Sequence, residues 1–301
     1  MDPCLFWRKS NKGTCYIALY VDDNLLIGDL TAIDEVIELL RSKGFILKVE
    51  DKLTDYLSCE IILSKDRKKA WLGQPHLITN LEKKFGDKVK NLRTYKTPGT
   101  PNLSMIRNTD ESQAISREDQ KLYRSGVGML LYLVKHSRPD IANPVRELSK
   151  VLDGTTPAAM KEMYRVIKYV LDTRGKGLRI EPIFGDSGPW DLVCYSDSDY
   201  AGDPDSRRSV SGFILYVKGV PISWRSKAQR SVTLSSSEAE WVALSEAVKE
   251  IMFVLQLLES MKIKVKLPVT VRVDNVGAIF MSKNISTSNR TKHGHSYEIC
   301  E

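Results

Sequence analysis

The chain has 301 residues, enough for two domains whose cores fold without disulfide staples. Hydrophobic residues make up 42% of it and charged residues 28%, which excludes a collagenous or wholly disordered chain. Its 45 Lys and Arg exceed its 38 Asp and Glu, and the net charge of +7 favours a polyanionic partner, nucleic acid first and an anionic membrane second.

The first 90 residues alternate apolar runs with turn signals and one stretch at helical spacing. These patterns predict a hairpin of two strands, over 16–21 and 25–28, joined by a tight turn at 22–24. A helix over 32–43 and two further strands over 45–49 and 56–63 are expected next. A basic turn at 65–69 and a helix over 76–85 complete this part of the chain. The β-β-α-β-β order is typical of a two-layer α+β domain.

The middle of the chain predicts a loop followed by helices. Residues 91–115 are polar and rich in Pro and Gly, and three helices are expected after them, over 118–136, 140–152 and 157–173. Gly and Pro then punctuate residues 181–190, which marks a linker between this helical segment and the rest of the chain.

A different pattern follows the linker. Short apolar runs and one long amphipathic stretch predict a β-β-β-α-β-α unit of about 110 residues, its elements over 192–197, 212–217, 221–225, 237–261, 269–273 and 276–283. The sequence therefore predicts three segments with boundaries at 1–90, 91–183 and 190–301.

Five scattered cysteines with no C-x-x-C spacing indicate neither a disulfide framework nor a zinc site, and a reducing compartment fits best. The longest apolar runs, at 16–21 and 129–134, are far shorter than the ~20 residues that a bilayer span requires. We therefore expect no membrane-spanning segment.

Asp22 and Asp23 lie at the tip of the first predicted hairpin. A turn needs only one Asp or Asn, so the pair suits a second role, holding Mg²⁺ through oxygen ligands while a nucleotide triphosphate completes the shell. A solvated turn is the ordinary alternative for these residues alone.

The stretch around this pair resembles the catalytic hairpin of reverse transcriptases, and closely that of copia-type retrotransposons. This stretch covers residues 17–28. Other stretches that look like signatures of the same family occur along the whole chain, at residues 2–7, 72–75, 123–132, 137–142 and 226–229. The resemblance implies a reverse-transcriptase palm remainder with the start of the thumb over 1–90, and a helical thumb and connection over 91–183. In the family a third aspartate on an earlier strand works with the pair, and we expect this chain to lack it and to be inactive as a polymerase.

Three acids of the C-terminal segment are expected to lie close together at one edge of a sheet. Asp197 ends a predicted strand, Glu240 lies at the start of the long helix, and Asp274 follows a later strand. Such a cluster can bind two metal ions about 3.5–4 Å apart for in-line phosphodiester hydrolysis, and without cations it repels itself. Surface acids without a common role are the ordinary alternative.

Neighbouring acids compete for two of these places. Capping chemistry suits both Glu238 and Glu240, but Glu240 shares the apolar helical face, whereas Glu238 lies about 200° away. We therefore assign Glu240 to the cluster and leave Glu238 as a cap. Strand alternation does not choose between Asp197 and Asp199, which have the same parity.

The resemblance to retroelement ribonuclease H domains selects Asp197 and implies an α+β / α/β, ribonuclease H-like domain over 190–301 that works with Mg²⁺ or Mn²⁺, two ions per complete site. Such domains use a fourth acid near their end, where this chain has His295 and stops before a final helix and strand. We therefore expect weak or absent cleavage.

Basic residues supply candidate contacts to nucleic acid. Lys68 and Lys69 lie in the basic turn of the palm-like segment, and Arg225 and Lys227 border the expected nuclease cleft. Each could neutralise phosphates of an RNA–DNA hybrid or a primer–template, although a solvated surface is the ordinary role of any single lysine.

The leading interpretation is a segment of a retrotransposon polyprotein whose parent activities are RNA-directed DNA synthesis and hydrolysis of RNA in hybrids. The resemblance implies a cytoplasmic virus-like particle, or the nucleus, and no secretion. The alternative is a non-catalytic, nucleic-acid-binding remnant of such an element.

Overall fold

Three strands joined by short turns form an antiparallel sheet at the N-terminus, with one helix packed on it. The computed structural model describes residues 2–50, 52–107, 115–183, 188–283 and 297–300. The strands of this sheet are β1 (Leu5–Ser10), β2 (Gly13–Tyr20) and β3 (Asp23–Gly28), and the helix is α1 (Leu30–Ser42). Buried Cys15, Ala32 and Val36 form the small core between sheet and helix. Strand β1 was not among the expected elements, because its sequence mixes polar and apolar residues without a clean alternation.

The strand expected over 45–49 is wrong. These residues adopt neither helix nor strand, and Phe45, Ile46 and Val49 are exposed. An apolar run becomes a strand only where a neighbouring strand edge pairs with it, and within the described residues no strand pairs with this segment.

A second antiparallel sheet combines residues from distant parts of the chain. Strands β4, β5, β6 and β7 span Asp55–Tyr56, Cys59–Leu63, Ala70–Gly73 and Leu178–Ile180, and they are hydrogen-bonded in that order. The single strand expected over 56–63 is interrupted by a two-residue turn at Leu57 and Ser58, which have φ values of 50° and 63°. Helix α2, Pro75–Val89, follows β6, as expected from its apolar spacing.

Four helices share the largest hydrophobic core. Helices α3, α4 and α5 span Arg117–His136, Ala142–Ser149 and Pro157–Asp172, and they pack with α2 around residues such as Leu81, Tyr123 and Met163. The expected helix over 140–152 is shorter, because Pro139–Ile141 forms a 3₁₀ turn before α4 begins.

A buried arginine ties this bundle together. Arg138 is only 1% exposed, and its guanidinium donates to both carboxylate oxygens of Asp140, at 2.8 and 2.9 Å. It also donates to the hydroxyl of Thr173 at 2.8 Å and lies over the ring of Tyr169. A buried guanidinium requires such partners, so these contacts fix the end of α3 against the end of α5.

The C-terminal segment forms a five-stranded mixed sheet covered by a long helix. Its first three strands are β8 (Leu192–Asp199), β9 (Val210–Val217) and β10 (Val220–Ala228). The long helix α6 (Ser236–Ser260) follows. Strand β11 (Val269–Arg272), helix α7 (Val276–Lys283) and strand β12 (Tyr297–Cys300) complete the segment. The sheet order is β10-β9-β8-β11-β12, and β11 is parallel to both β8 and β12.

Strand β12 corrects the expectation of a β-β-β-α-β-α unit, because a further strand pairs with β11. It covers only four residues, which is too short a run for alternation to identify. The important consequence of the topology lies elsewhere: parallel, adjacent β8 and β11 end at the same edge of the sheet.

Helical and C-terminal segments are in direct contact. The indole of Trp224 in β10 donates to the carbonyl of Val134 at 2.8 Å, and Arg146 of α4 donates to the hydroxyl of Ser226 at 3.1 Å. Lys150 forms an ion pair with Asp203 in the loop between β8 and β9. No helix among the described residues has the length and apolar character needed to cross a membrane.

Together the described residues form a mixed α+β structure with three sheets and seven α-helices.

Candidate metal centre

Three carboxylates meet at the edge of the C-terminal sheet where β8 and β11 end. Asp197 lies two residues before the end of β8, and Asp274 comes two residues after the end of β11. Glu240 lies near the start of α6, which packs across β8. One ligand oxygen from each lies within 4.8 Å of the other two. The parallel arrangement of β8 and β11 brings the two aspartates together, and the packing of α6 adds the glutamate.

Glu240 is the buried member of this acidic triad, Asp197, Glu240 and Asp274. It is 5% exposed, and its Oε1 accepts hydrogen bonds from the backbone N–H of Ser198 at 3.0 Å and from the Ser198 hydroxyl at 2.8 Å. Its Oε2 is buried, and no hydrogen-bond donor among the described residues reaches it. The glutamate is therefore oriented through one oxygen while the other is left without a partner.

Burial raises the pKa of Glu240 above its usual value, and the negative charges of Asp197 and Asp274 raise it further, whereas the two hydrogen bonds from Ser198 lower it. A proton or a cation is needed to relieve this crowding of charge. Carboxylate oxygens are the ligands that Mg²⁺ and Mn²⁺ prefer, so the unpartnered Oε2 and its two acidic neighbours fit a divalent cation.

The competing acids lie outside the triad. Glu238 serves as a cap: its backbone N–H donates to the Ser235 hydroxyl at 3.1 Å, and its carboxylate accepts from the backbone N–H of Leu234 at 2.7 Å. Asp199 ends β8 and is not one of the three clustered carboxylates. His295, expected in the place of a fourth acid, lies outside the described residues.

Asp22 and Asp23 lie at the tip of the β2–β3 hairpin, both exposed. The turn lies one residue earlier than expected, since Tyr20 pairs with Asp23 and the two-residue loop is Val21 and Asp22. Val21 has a φ of 48°, a conformation that costs a β-branched residue energy. Within the described part of the chain, no third metal-binding side chain joins this pair.

The expected nucleic-acid contacts are on separate sheets rather than in one patch. Lys68 and Lys69 are exposed at the β5–β6 turn, and Lys69 lies 3.9 Å from the carboxylate of Glu181. Arg225 and Lys227 are exposed on β10, two strands away from β8, or about 10 Å at the usual strand spacing.

Arg225 is already engaged on its own surface. Its guanidinium is 3.9 Å from the carboxylate of Glu250 and lies over the ring of Phe213. Its charge is therefore partly compensated, and Lys227 is the better candidate of the two for contact with a phosphate.

Helix α3 carries a basic stripe that was not predicted from the sequence. One exposed face of this helix carries residues spaced by three or four, namely Arg117, Lys121, Arg124, Gly128, Leu131 and Lys135. Gly128 leaves open space at the middle of the stripe, since an added Cβ would meet no atom within 4 Å. The cations at helical spacing were the signal that could have revealed this surface.

Comparisons with known proteins identify relatives along almost the whole chain, although no protein-family model matches it. The retrovirus-related Pol polyprotein from transposon TNT 1-94 of Nicotiana tabacum is 31% identical over 97% of this chain and 22% of its own length. The corresponding polyprotein from transposon RE1 of Arabidopsis thaliana is 30% identical over 97% of this chain and 19% of its own length. A transposon Ty5-1 protein of Saccharomyces cerevisiae is 27% identical over 82% of this chain and 77% of its own length.

The chain thus spans about a fifth of the length of the plant polyproteins that it matches. Relatives from two plants and a yeast, all transposon proteins, agree with the signature stretches found in the sequence. The chain belongs to the copia-type, retrovirus-related Pol polyproteins, of which it represents a segment.

Proposed function

We propose that residues 190–301 form a ribonuclease H-like nuclease domain that hydrolyses the RNA strand of RNA–DNA hybrids. Residues 1–90 and 91–183 would then be the palm remainder and the thumb and connection of a reverse transcriptase, which hold the same nucleic acid. The observation that carries this proposal is the convergence of Asp197, Glu240 and Asp274, with ligand oxygens within 4.8 Å of one another.

The order of elements supports the same assignment. Three antiparallel strands lead into a long helix that crosses them, and a parallel strand on the other side of β8 brings in the third acid. The unpartnered, buried Oε2 of Glu240 is costly for a purely structural residue, and it is accounted for by a cationic ligand.

Asp197, Glu240 and Asp274 would hold Mg²⁺ or Mn²⁺. Bound divalent cations supply an activated water and stabilise the charge that develops on the leaving 3′-oxygen. The protein contributes the fixed positions of three carboxylates, and Ser198 keeps the Glu240 carboxylate oriented before a cation arrives.

Nucleic-acid binding rests on charge and shape. The net charge of +7, the α3 stripe and the exposed Lys68 and Lys227 all favour contact with phosphates. A protein that binds in this way recognises a hybrid by the shape of its backbone rather than by its sequence. Gly128 allows a backbone or sugar to approach α3 closely.

RNA-directed DNA synthesis is proposed for the parent polyprotein rather than for these 301 residues. Asp22 and Asp23 form an exposed pair, and no further metal-binding side chain in the described part of the chain completes a cluster with them. We therefore propose that the hairpin is half of a polymerase site.

The test is cleavage of a hybrid whose RNA strand carries a 5′ label, in Mg²⁺ and in Mn²⁺. We expect slow cutting that is lost in Asp274→Asn and Glu240→Gln. Glu238→Gln is the matched control, since it changes a glutamate of the same helix that acts as a cap, and it should keep cutting. Salt-sensitive binding of the hybrid with no cutting by any variant would instead support the non-catalytic remnant.

A further inference from the structure

The stretch 226–229, one of the signatures noted in the sequence, ends in a buried glutamine directly after β10. Gln229 is 2% exposed. Its side-chain Nε2 donates to the carbonyl oxygen of Ala239 at 2.9 Å and to the hydroxyl of Ser211 at 3.0 Å. Its backbone N–H donates to the carbonyl of Ser209 at 2.8 Å. One side chain therefore joins the end of β10 to strand β9 and to helix α6.

Further buried hydrogen bonds hold the same region together. The hydroxyls of Ser209 and Thr233 are 2.8 Å apart, and Ser209 also accepts from the backbone N–H of Ala201 at 3.0 Å. Ser209 and Thr233 are both almost fully buried. These contacts connect the loop that follows β8, which carries Asp197, with the segment that leads into α6.

The contact with Ala239 is the important one, because Ala239 directly precedes Glu240. The start of α6 is also held by its cap, where the Ser235 hydroxyl accepts from the backbone N–H of Glu238 at 3.1 Å, and by the two hydrogen bonds from Ser198 to Glu240. Gln229 adds a link between this part of the helix and the sheet, because its side chain donates to Ala239 while its own backbone continues from β10 and donates to the carbonyl of Ser209.

We propose that Gln229 is a positioning residue for the metal centre, acting through the Ala239 carbonyl to fix Glu240 relative to Asp197. This inference rests on the proposed function, since it concerns the same three carboxylates. Gln229 does not touch the site; it sets the place from which the Glu240 carboxylate reaches it. Groups that orient metal ligands in this way commonly change metal affinity by about 10- to 100-fold when they are lost.

The test measures Mn²⁺ binding to the full chain by titration calorimetry, with no nucleic acid present, so that the result does not depend on turnover. Gln229→Met removes the amide and keeps the side-chain length. Ser211→Ala removes the other acceptor of the same amide and keeps the bond to α6, so it is the matched control. Glu240→Gln defines the binding that belongs to the triad.

We expect Gln229→Met to weaken the triad-dependent affinity for Mn²⁺ about tenfold, and Ser211→Ala to weaken it by about twofold or less. Hydrogen exchange should show loss of protection at the amides of residues 240–243 in Gln229→Met and little change there in Ser211→Ala. Since a carboxylate site gains affinity from orientation, both readouts should change together.

Two contrary results are distinguishable. If Glu240→Gln binds Mn²⁺ as the parent chain does, the proposed metal centre itself is wrong. If Glu240→Gln loses binding while Gln229→Met keeps the parent affinity, the metal centre stands and the role of Gln229 is refuted. Should Gln229→Met fail to unfold cooperatively, Gln229→Asn, which keeps a buried amide with a shorter reach, is measured in its place and the same results decide.

Discussion

Removing the hydroxyl of Ser198 tests how the buried glutamate is held. In Ser198→Ala the 2.8 Å bond from the hydroxyl to Glu240 Oε1 is lost, while the 3.0 Å bond from the backbone N–H remains. A hydrogen bond to a charged group contributes about 1.5–3 kcal/mol, and with the second donor in place we expect the lower end, about 1.5 kcal/mol. That corresponds to roughly a tenfold change in an equilibrium constant.

The direction of the pH effect follows from the same contact. Hydrogen bonds from Ser198 lower the pKa of Glu240, against the burial and the acidic neighbours that raise it. Without the hydroxyl the pKa of Glu240 rises further, so the carboxylate becomes ionised, and competent for a cation, only at higher pH. The acid limb of the cleavage profile should therefore move to higher pH, and more Mg²⁺ should be needed at a given pH.

The assay is initial-rate cleavage of a labelled hybrid across pH 5–9 at several Mg²⁺ concentrations. Ser196→Ala is the matched control, because Ser196 is buried on the same strand and its hydroxyl has no hydrogen-bond partner among the described residues. We expect this control to keep the parent profile. Equal profiles for Ser198→Ala and Ser196→Ala would refute the orienting role of the Ser198 hydroxyl.

Three further outcomes are expected. Replacing Lys121 and Arg124 with alanine should weaken hybrid binding for every sequence and reduce the slope of log affinity against log salt by about two, measured by fluorescence anisotropy; an unchanged slope would contradict a phosphate contact on α3. Burial alone would raise the pKa of Asp203, but Lys150 and hydrogen bonds from the same loop hold this pKa at about 2. The ionised carboxylate of Asp203, with Lys150 and Ser206 as its partners, should therefore contribute about 2 kcal/mol to the free energy of unfolding above pH ~4, and this contribution should be lost as the pH falls towards 2. Urea unfolding of the parent and Asp203→Asn at several pH values measures it, and a difference that grows on acidification would show the reasoning to be wrong. Arg138→Ala should lower the free energy of unfolding by about 3 kcal/mol, because it empties the buried space of the arginine side chain and removes its hydrogen bonds to Asp140 and Thr173. A loss below ~1 kcal/mol in the same urea titration would show that these contacts are unimportant.

The sequence was most informative where one periodicity decided the matter. Apolar residues at spacings of three and four predicted the long helix α6 and placed Glu240 on its buried face, and the structure has Glu240 there with Ser198 as its partner. The gap between the apolar runs over 212–217 and 221–225 likewise predicted the turn between β9 and β10, which the structure has at Lys218 and Gly219. These features depend on local patterns, which a single sequence carries.

Features that depend on distant partners could not be predicted. Residues 45–49 have the pattern of a strand but pair with no strand among the described residues, and β7 is a strand only because β6 pairs with it from more than a hundred residues away. Alternation could not separate Asp197 from Asp199, because parity does not reveal which of them the packing of α6 approaches. The proposed role of Gln229 likewise depends on its hydrogen bond to the Ala239 carbonyl of α6, which residue spacing in the sequence does not predict.

We propose that the carboxylates of Asp197, Glu240 and Asp274 hold divalent cations. The most direct measurement is anomalous diffraction at the manganese edge from crystals of the full chain soaked in Mn²⁺. We expect a manganese peak among the three carboxylates that is lost in Glu240→Gln. Manganese peaks elsewhere in the crystal, with none among these three side chains, would contradict it.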